Sequence, residues 1–167
     1  MPGHIYNLLI FGAAYGSLFG TKLVLAGHNV TMVCLPEEVK AINSDGVQLK
    51  IPVRGRNEPQ EINSHSATGI IKAASPKDVS PKDYDLIALA MQEPQYKSPN
   101  VRELLLAVAA SGVPVISIMN MPPPPYLRRI PEIAAVETED CYTDISIWND
   151  FDPAIFTMAS PDPQAFR

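Results

Sequence analysis

Gly12, Ala13, Ala14 and Gly16 crowd one turn, between an apolar run and a stretch of helical periodicity. Small residues there let backbone N–H groups come close to an anion, and the helix that follows aims its positive end at the same point. That is the chemistry of pyrophosphate binding in a dinucleotide fold. The glycine pattern is degenerate: counted back from Gly16, the slots of G-x-G-x-x-G fall on Phe11, Ala13 and Gly16. A shifted reading makes Gly12 the first turn glycine and shortens the loop by one residue. Two readings stay open on these residues alone. One is a pyrophosphate cradle over Gly12, Ala13, Ala14, Tyr15 and Gly16; the other is a plain β-α-β unit whose glycines serve only helix–sheet packing.

Other reactive residue types form no working arrangement. His4 and His65 have no Asp, Cys or Ser suitably spaced, which argues against nucleophilic catalysis. His28 follows Gly27 in a turn and reads as exposed. Cys34 and Cys141 fit no metal or redox spacing and read as reduced thiols in the cytoplasm. Asp140, Asp144, Asp150 and Asp152 surround Trp148 at no known metal-loop spacing and read as a solvated surface. No metal site is expected.

The elements around the turn follow from periodicity. Leu8–Phe11 is a continuous apolar run, as in a strand covered on both faces. Gly16–Ala26 has helical spacing, Gly27-His28-Asn29 breaks it, and Val30–Cys34 is a second apolar run. Pro36 and two acids start a short helix that ends near Asn43–Gly46. Val47–Ile51 alternates as a strand, Arg54–Pro59 is a polar loop, and Thr68–Ala73 is a further strand weakened by Gly69. Tyr84–Met91 and Val113–Met119 are buried strands. Between them a helix capped by Asn100 is stopped at Ser111-Gly112. The prolines 122–125 read as a stiff loop, 126–135 as a short helix interrupted at Pro131, and Ile155–Ala159 as a last strand. Alternating strands and helices predict an α/β, Rossmann-like, doubly wound sheet, mainly parallel, with the first strand central and helices on both faces. Ligands of such sheets lie beyond the strand C-termini. Topology therefore brings Gly12–Gly16, Gln92–Gln95 and Asn120–Pro125 together.

The chain has 167 residues, 46% of them hydrophobic, which suits one soluble domain. A net charge of −5 without a basic cluster argues against nucleic acid. No run approaches the roughly 20 apolar residues of a membrane helix, and the N-terminus lacks signal-peptide features. The 17 prolines mark turns.

Four segments, in order, carry a family resemblance. Ala14–Gly20 with Ala26–Val33, Ala41–Val47, Asp85–Gln95 and Ile118-Met119-Asn120 are similar to the opening of the ketopantoate reductases, over roughly residues 5–125. The resemblance implies an NADPH-binding domain of an enzyme that reduces a 2-oxo acid to a 2-hydroxy acid, in pantothenate biosynthesis. It also implies that Gln95 and Asn120 keep family positions, with Asn120 orienting substrate or nicotinamide. The ordinary alternative for Asn120 is a turn cap before the prolines. For Gln92 and Gln95 the choice is between lining the cleft and a solvated loop.

Departures from the family are specific. Phe11 and Ala13 replace fingerprint glycines, Gln92 replaces a lysine, and Met121-Pro122 replaces a glycine-rich continuation. The basic residue that holds the NADP 2′-phosphate falls at Leu35, followed by Glu37 and Glu38. NADP or NAD therefore stays open, with weak discrimination expected; Arg54 and Arg56 are the nearby cations that would compensate. The family's second, mostly helical domain supplies a catalytic lysine and glutamate. Residues 1–167 are thus expected to form a single dinucleotide-binding domain of a longer enzyme, unable to turn over substrate alone. Glu93, the carboxylate at the strand ends, reads as exposed. A homo-oligomer is left open. The rival reading is a Rossmann-shaped module that has lost its nucleotide and serves interaction. The two divide at Phe11, Ala13 and Leu35: Phe11 in the pyrophosphate site favours the module, whereas Phe11 in the core with Gly12 making the turn keeps binding.

Overall fold

The computed structural model describes residues 3–52, 55, 57–119, 121–134 and 139–159. Strand β1 (Asn7–Phe11) lies mid-sheet because both its faces are apolar. Leu9 and Phe11 enter one core, while Leu8 and Ile10 enter the other. Helix α1 (Gly16–Leu25) returns the chain to β2 (Asn29–Val33), then α2 (Pro36–Asp45) follows. Strands β3 (Gln48–Ile51) and β4 (Gln60–Asn63) pair antiparallel as a separate hairpin, and β5 (Ile71–Ala74) rejoins the main sheet beside β2. The chain then crosses over to β6 (Leu86–Leu89), α3 (Pro99–Ser111) and β7 (Val115–Ser117). Short helices α4 (Pro124–Leu127) and α5 (Pro131–Ala134) precede the edge strand β8 (Phe156–Met158).

The six-stranded order is β5-β2-β1-β6-β7-β8, and every pairing in it is parallel. From β1 the chain builds outward to one side, then from β6 to the other. The strand order therefore reverses between β1 and β6, where doubly wound sheets bind ligands. Helix α1 seals one face through Val24, with Ile42 of α2 beside it. The other face is sealed by Leu104, Leu105 and Val108 of α3 together with Tyr96, Ile147, Trp148 and Phe151. No helix among the described residues is long and apolar enough to cross a membrane.

Several local expectations are corrected. Strand β4 hides in Gln60-Glu61-Ile62-Asn63, whose polar composition carries no strand signal; pairing with β3 makes it, with an exposed Lys50–Glu61 ion pair at 2.7 Å. Ser98, not Asn100, is the N-cap residue of α3, since Pro99 takes the first helical position. The proline run is not all loop: Pro124 and Pro125 open α4, where missing N–H groups cost nothing. Around Trp148 the solvated reading fails in part. Trp148 is fully buried, with its ring 5.4 Å from that of Tyr96. Asp144 meets the Arg102 guanidinium at 2.5 Å. Its carboxyl is held below the usual range by the Ser146 hydroxyl, then by Arg102 and the Ser146 N–H. Asp140, Asp150 and Asp152 are exposed.

Candidate functional site

A cleft of about 650 Å³ opens beyond the C-terminal ends of β1, β2 and β6, at the point where the strand order reverses. Gly12, Ala13, Ala14 and Tyr15 form one wall, Cys34, Leu35 and Glu38 the second, and Ala90, Met91, Gln92 and Gln95 the third.

The turn after β1 is built on Gly12. Its φ of +96° is one that side chains resist, and a Cβ there would lie 3.0 Å from the Ala90 carbonyl oxygen. Its N–H donates to the Val33 carbonyl at 2.8 Å, which ties the turn to the end of β2. Phe11 is fully buried, 6.4 Å ring to ring from Tyr96, so it leaves the cleft free. The Ser17 N–H donates to the Ala13 carbonyl, and the N–H groups of Ala14, Tyr15 and Gly16 meet no acceptor among the described residues. These are the free donors of a helix start. Gly16 itself is buried: a Cβ would stand 2.7 Å from Ile10 Cγ2, so it sets how closely α1 approaches the sheet. Tyr15 is half exposed at the mouth.

On the β2 side, Leu35 is 59% exposed at the cleft. Its N–H donates to Glu38 Oε2 at 3.0 Å, fixing the carboxylate over the first turn of α2. The Cys34 thiol, largely buried, is pushed up to about 11 by burial and then by the Glu38 and Glu37 carboxylates.

On the β6 side, the Gln92 N–H donates to Gln95 Oε1 at 2.8 Å, so Gln95 caps the 3₁₀ turn Glu93–Lys97 while facing the cleft. Beneath them the buried Tyr96 hydroxyl accepts the Met91 N–H at 3.1 Å. Glu93 overturns its exposed reading. It is buried and turned from the cleft, its carboxylate accepting the Thr143 N–H at 3.0 Å and the Thr143 hydroxyl at 2.6 Å. Asn120 lies outside the described residues, as do Arg54 and Arg56.

The cleft thus brings together Gly12, Ala13, Ala14, Tyr15, Leu35, Gln92 and Gln95, with Gly16 packed behind the turn. Sequence reasoning missed Ser75, Pro76, Ser98 and Val101 on its rim, and Cys34 as part of its wall. Only the strand-end position of Cys34 could have signalled its place. Among the described residues no group of His, Cys, Asp and Glu could hold a metal ion.

Residues 8–121 match the family model described as ketopantoate reductase PanE/ApbA. Among solved structures, the chain resembles a candidate ketopantoate reductase from Ralstonia solanacearum MolK2, with a TM-score of 0.52 and 17% identity over 75% of this chain and 35% of that one. It also resembles a candidate 2-dehydropantoate 2-reductase, panE, from Bacillus subtilis, with a TM-score of 0.50 and 17% identity over 75% of this chain and 37% of that one. At this identity the likeness is one of fold. The chain spans a little over a third of the length of those two proteins. A comparison with curated proteins gave no match.

Proposed function

The chain belongs to the ketopantoate reductase PanE/ApbA family, and from that premise we propose that its cleft binds a nicotinamide dinucleotide for the reduction of a 2-oxo acid to a 2-hydroxy acid. The observation that carries the reading is the Gly12 turn: Phe11 is withdrawn into the core and three N–H groups at the head of α1 meet no acceptor among the described residues. Such donors bind a pyrophosphate. The arrangement fits the group, since a Cβ at Gly12 would press on Ala90 and Met91 and close the space.

The dinucleotide supplies a hydride when bound. The chain's own residues bind and orient it. The turn holds the anionic middle, and Leu35 with Glu38 borders the end beside β2. Met91, Gln92 and Gln95 border the side toward β7, where we place the nicotinamide and the 2-oxo acid. Asn120 is proposed to orient the substrate there. A carbonyl that accepts hydride also needs a proton donor as charge develops on its oxygen. The described cleft residues include no Lys or His, and the one carboxylate among them, Glu38, stands at the β2 end. We therefore assign these residues the role of a dinucleotide-binding domain and expect the proton donor from elsewhere in a longer polypeptide. Calorimetric titration with NADPH, NADH and ADP-ribose tests the reading. Heat that saturates with at least one of them is expected, and its absence with all three would favour the interaction module.

A further inference from the structure

Among the described residues, the β2 end of the cleft carries only negative charge. Leu35, Pro36 and Glu38 line it, Ser75 and Pro76 face them, and no described lining residue is Lys, Arg or His. Glu38 is held in place by the Leu35 N–H through Oε2, while Oε1 accepts no hydrogen bond among the described residues. The field of this carboxylate reaches the cleft wall, since Glu38 and Glu37 both raise the Cys34 thiol, after burial.

In dinucleotide folds an acidic residue some twenty positions beyond the turn takes the ribose 2′-hydroxyl, whereas a 2′-phosphate needs a cation. Glu38 stands about twenty positions after Gly16. A carboxylate accepts a hydrogen bond from a hydroxyl but has no proton to offer a phosphate, and it repels the phosphate's charge. A missing cation at Leu35 by itself predicts weak discrimination; a fixed carboxylate on the same wall gives it a direction. Resting on the dinucleotide reading above, we propose that Glu38 selects the adenine ribose with a free 2′-hydroxyl, so that this cleft prefers NAD(H) to NADP(H).

The test is calorimetry on the whole chain with NADH, NADPH, ADP-ribose and 2′-phospho-ADP-ribose at one ionic strength. The unphosphorylated ligands are expected to bind about tenfold tighter or more. Glu38→Gln keeps an oxygen for the Leu35 N–H, so α2 stays capped while the charge goes; it should bring the four affinities to within about twofold. Leu35→Arg at this exposed position should reverse the preference. Equal or tighter binding of the phosphorylated ligands, or a ratio unchanged in Glu38→Gln, overturns the proposal. So does a preference for NADPH that disappears in Arg54→Ala or Arg56→Ala. If no ligand binds, the dinucleotide reading itself fails and this inference with it; binding with the wrong preference defeats this inference alone.

Discussion

Thr143→Val isolates a contact that decides what Glu93 is for. Glu93 is only 8% exposed, and both its oxygens are engaged by one residue 50 positions away. Oε1 accepts the Thr143 N–H at 3.0 Å and Oε2 accepts the hydroxyl at 2.6 Å. The pair fastens the turn after β6 to the segment that delivers Trp148 into the core beside Tyr96. Valine keeps the size and branching of threonine and puts a methyl group in place of the hydroxyl. A hydrogen bond to a charged acceptor is worth about 1.5–3 kcal/mol. Thr143 is itself exposed, so water replaces part of the loss, and we expect about 1.5 kcal/mol. Urea unfolding should show a lower midpoint at unchanged slope. In a double-mutant cycle with Glu93→Gln the coupling should be about 1 kcal/mol. A loss below about 0.3 kcal/mol with no coupling would show that the Thr143 hydroxyl does not hold Glu93. The Thr143 N–H alone would then hold Glu93 at the turn after β6.

Four further outcomes follow. Gly12→Ala should cost about 1–3 kcal/mol for its positive φ and weaken dinucleotide binding at least tenfold, seen by thermal denaturation and calorimetry; unchanged binding would remove the turn from the site. Cys141 is exposed and Cys34 buried, so at pH 8 mass spectrometry after iodoacetamide should find Cys141 modified first. With its thiol near 11, Cys34 is about one-thousandth thiolate at that pH. Folding holds this thiol above its ordinary 9.0, so its contribution to stability is full below about pH 9 and lost as pH rises through about 11. Finally, NADPH and NADH oxidation by residues 1–167, with ketopantoate or other short 2-oxo acids, should not exceed the protein-free rate. Steady turnover would mean that these residues contain the donor.

The doubly wound sheet was legible because β1, β2, β6 and β7 are short runs of apolar residues, the pattern of strands covered on both faces. The cleft was legible through topology rather than motif: with Gly12 closing β1 and Gln92 following β6, parallel pairing alone brings them together. What escaped the sequence depends on distant partners. Gln60–Asn63 becomes a strand only because β3 lies alongside it. Glu93 looks like a solvated loop residue until Thr143 arrives from 50 positions on. Trp148, ringed by aspartates in the sequence, is buried because Tyr96, Phe151 and Phe156 surround it. Phe11 in a glycine slot looked like an obstruction, yet strand alternation sends it to the α3 side and leaves Gly12 to turn.

A pyrophosphate received at the head of α1 would hydrogen-bond its free N–H groups and so move their amide chemical shifts. In ¹⁵N–¹H spectra of the labelled chain titrated with ADP-ribose, saturable shifts are expected, largest at Ala14, Tyr15 and Gly16, with smaller ones at Leu35 and Gln92. Shifts that never saturate, or that gather at the opposite strand ends around Asn7, Asn29 and Lys72, would contradict pyrophosphate binding there.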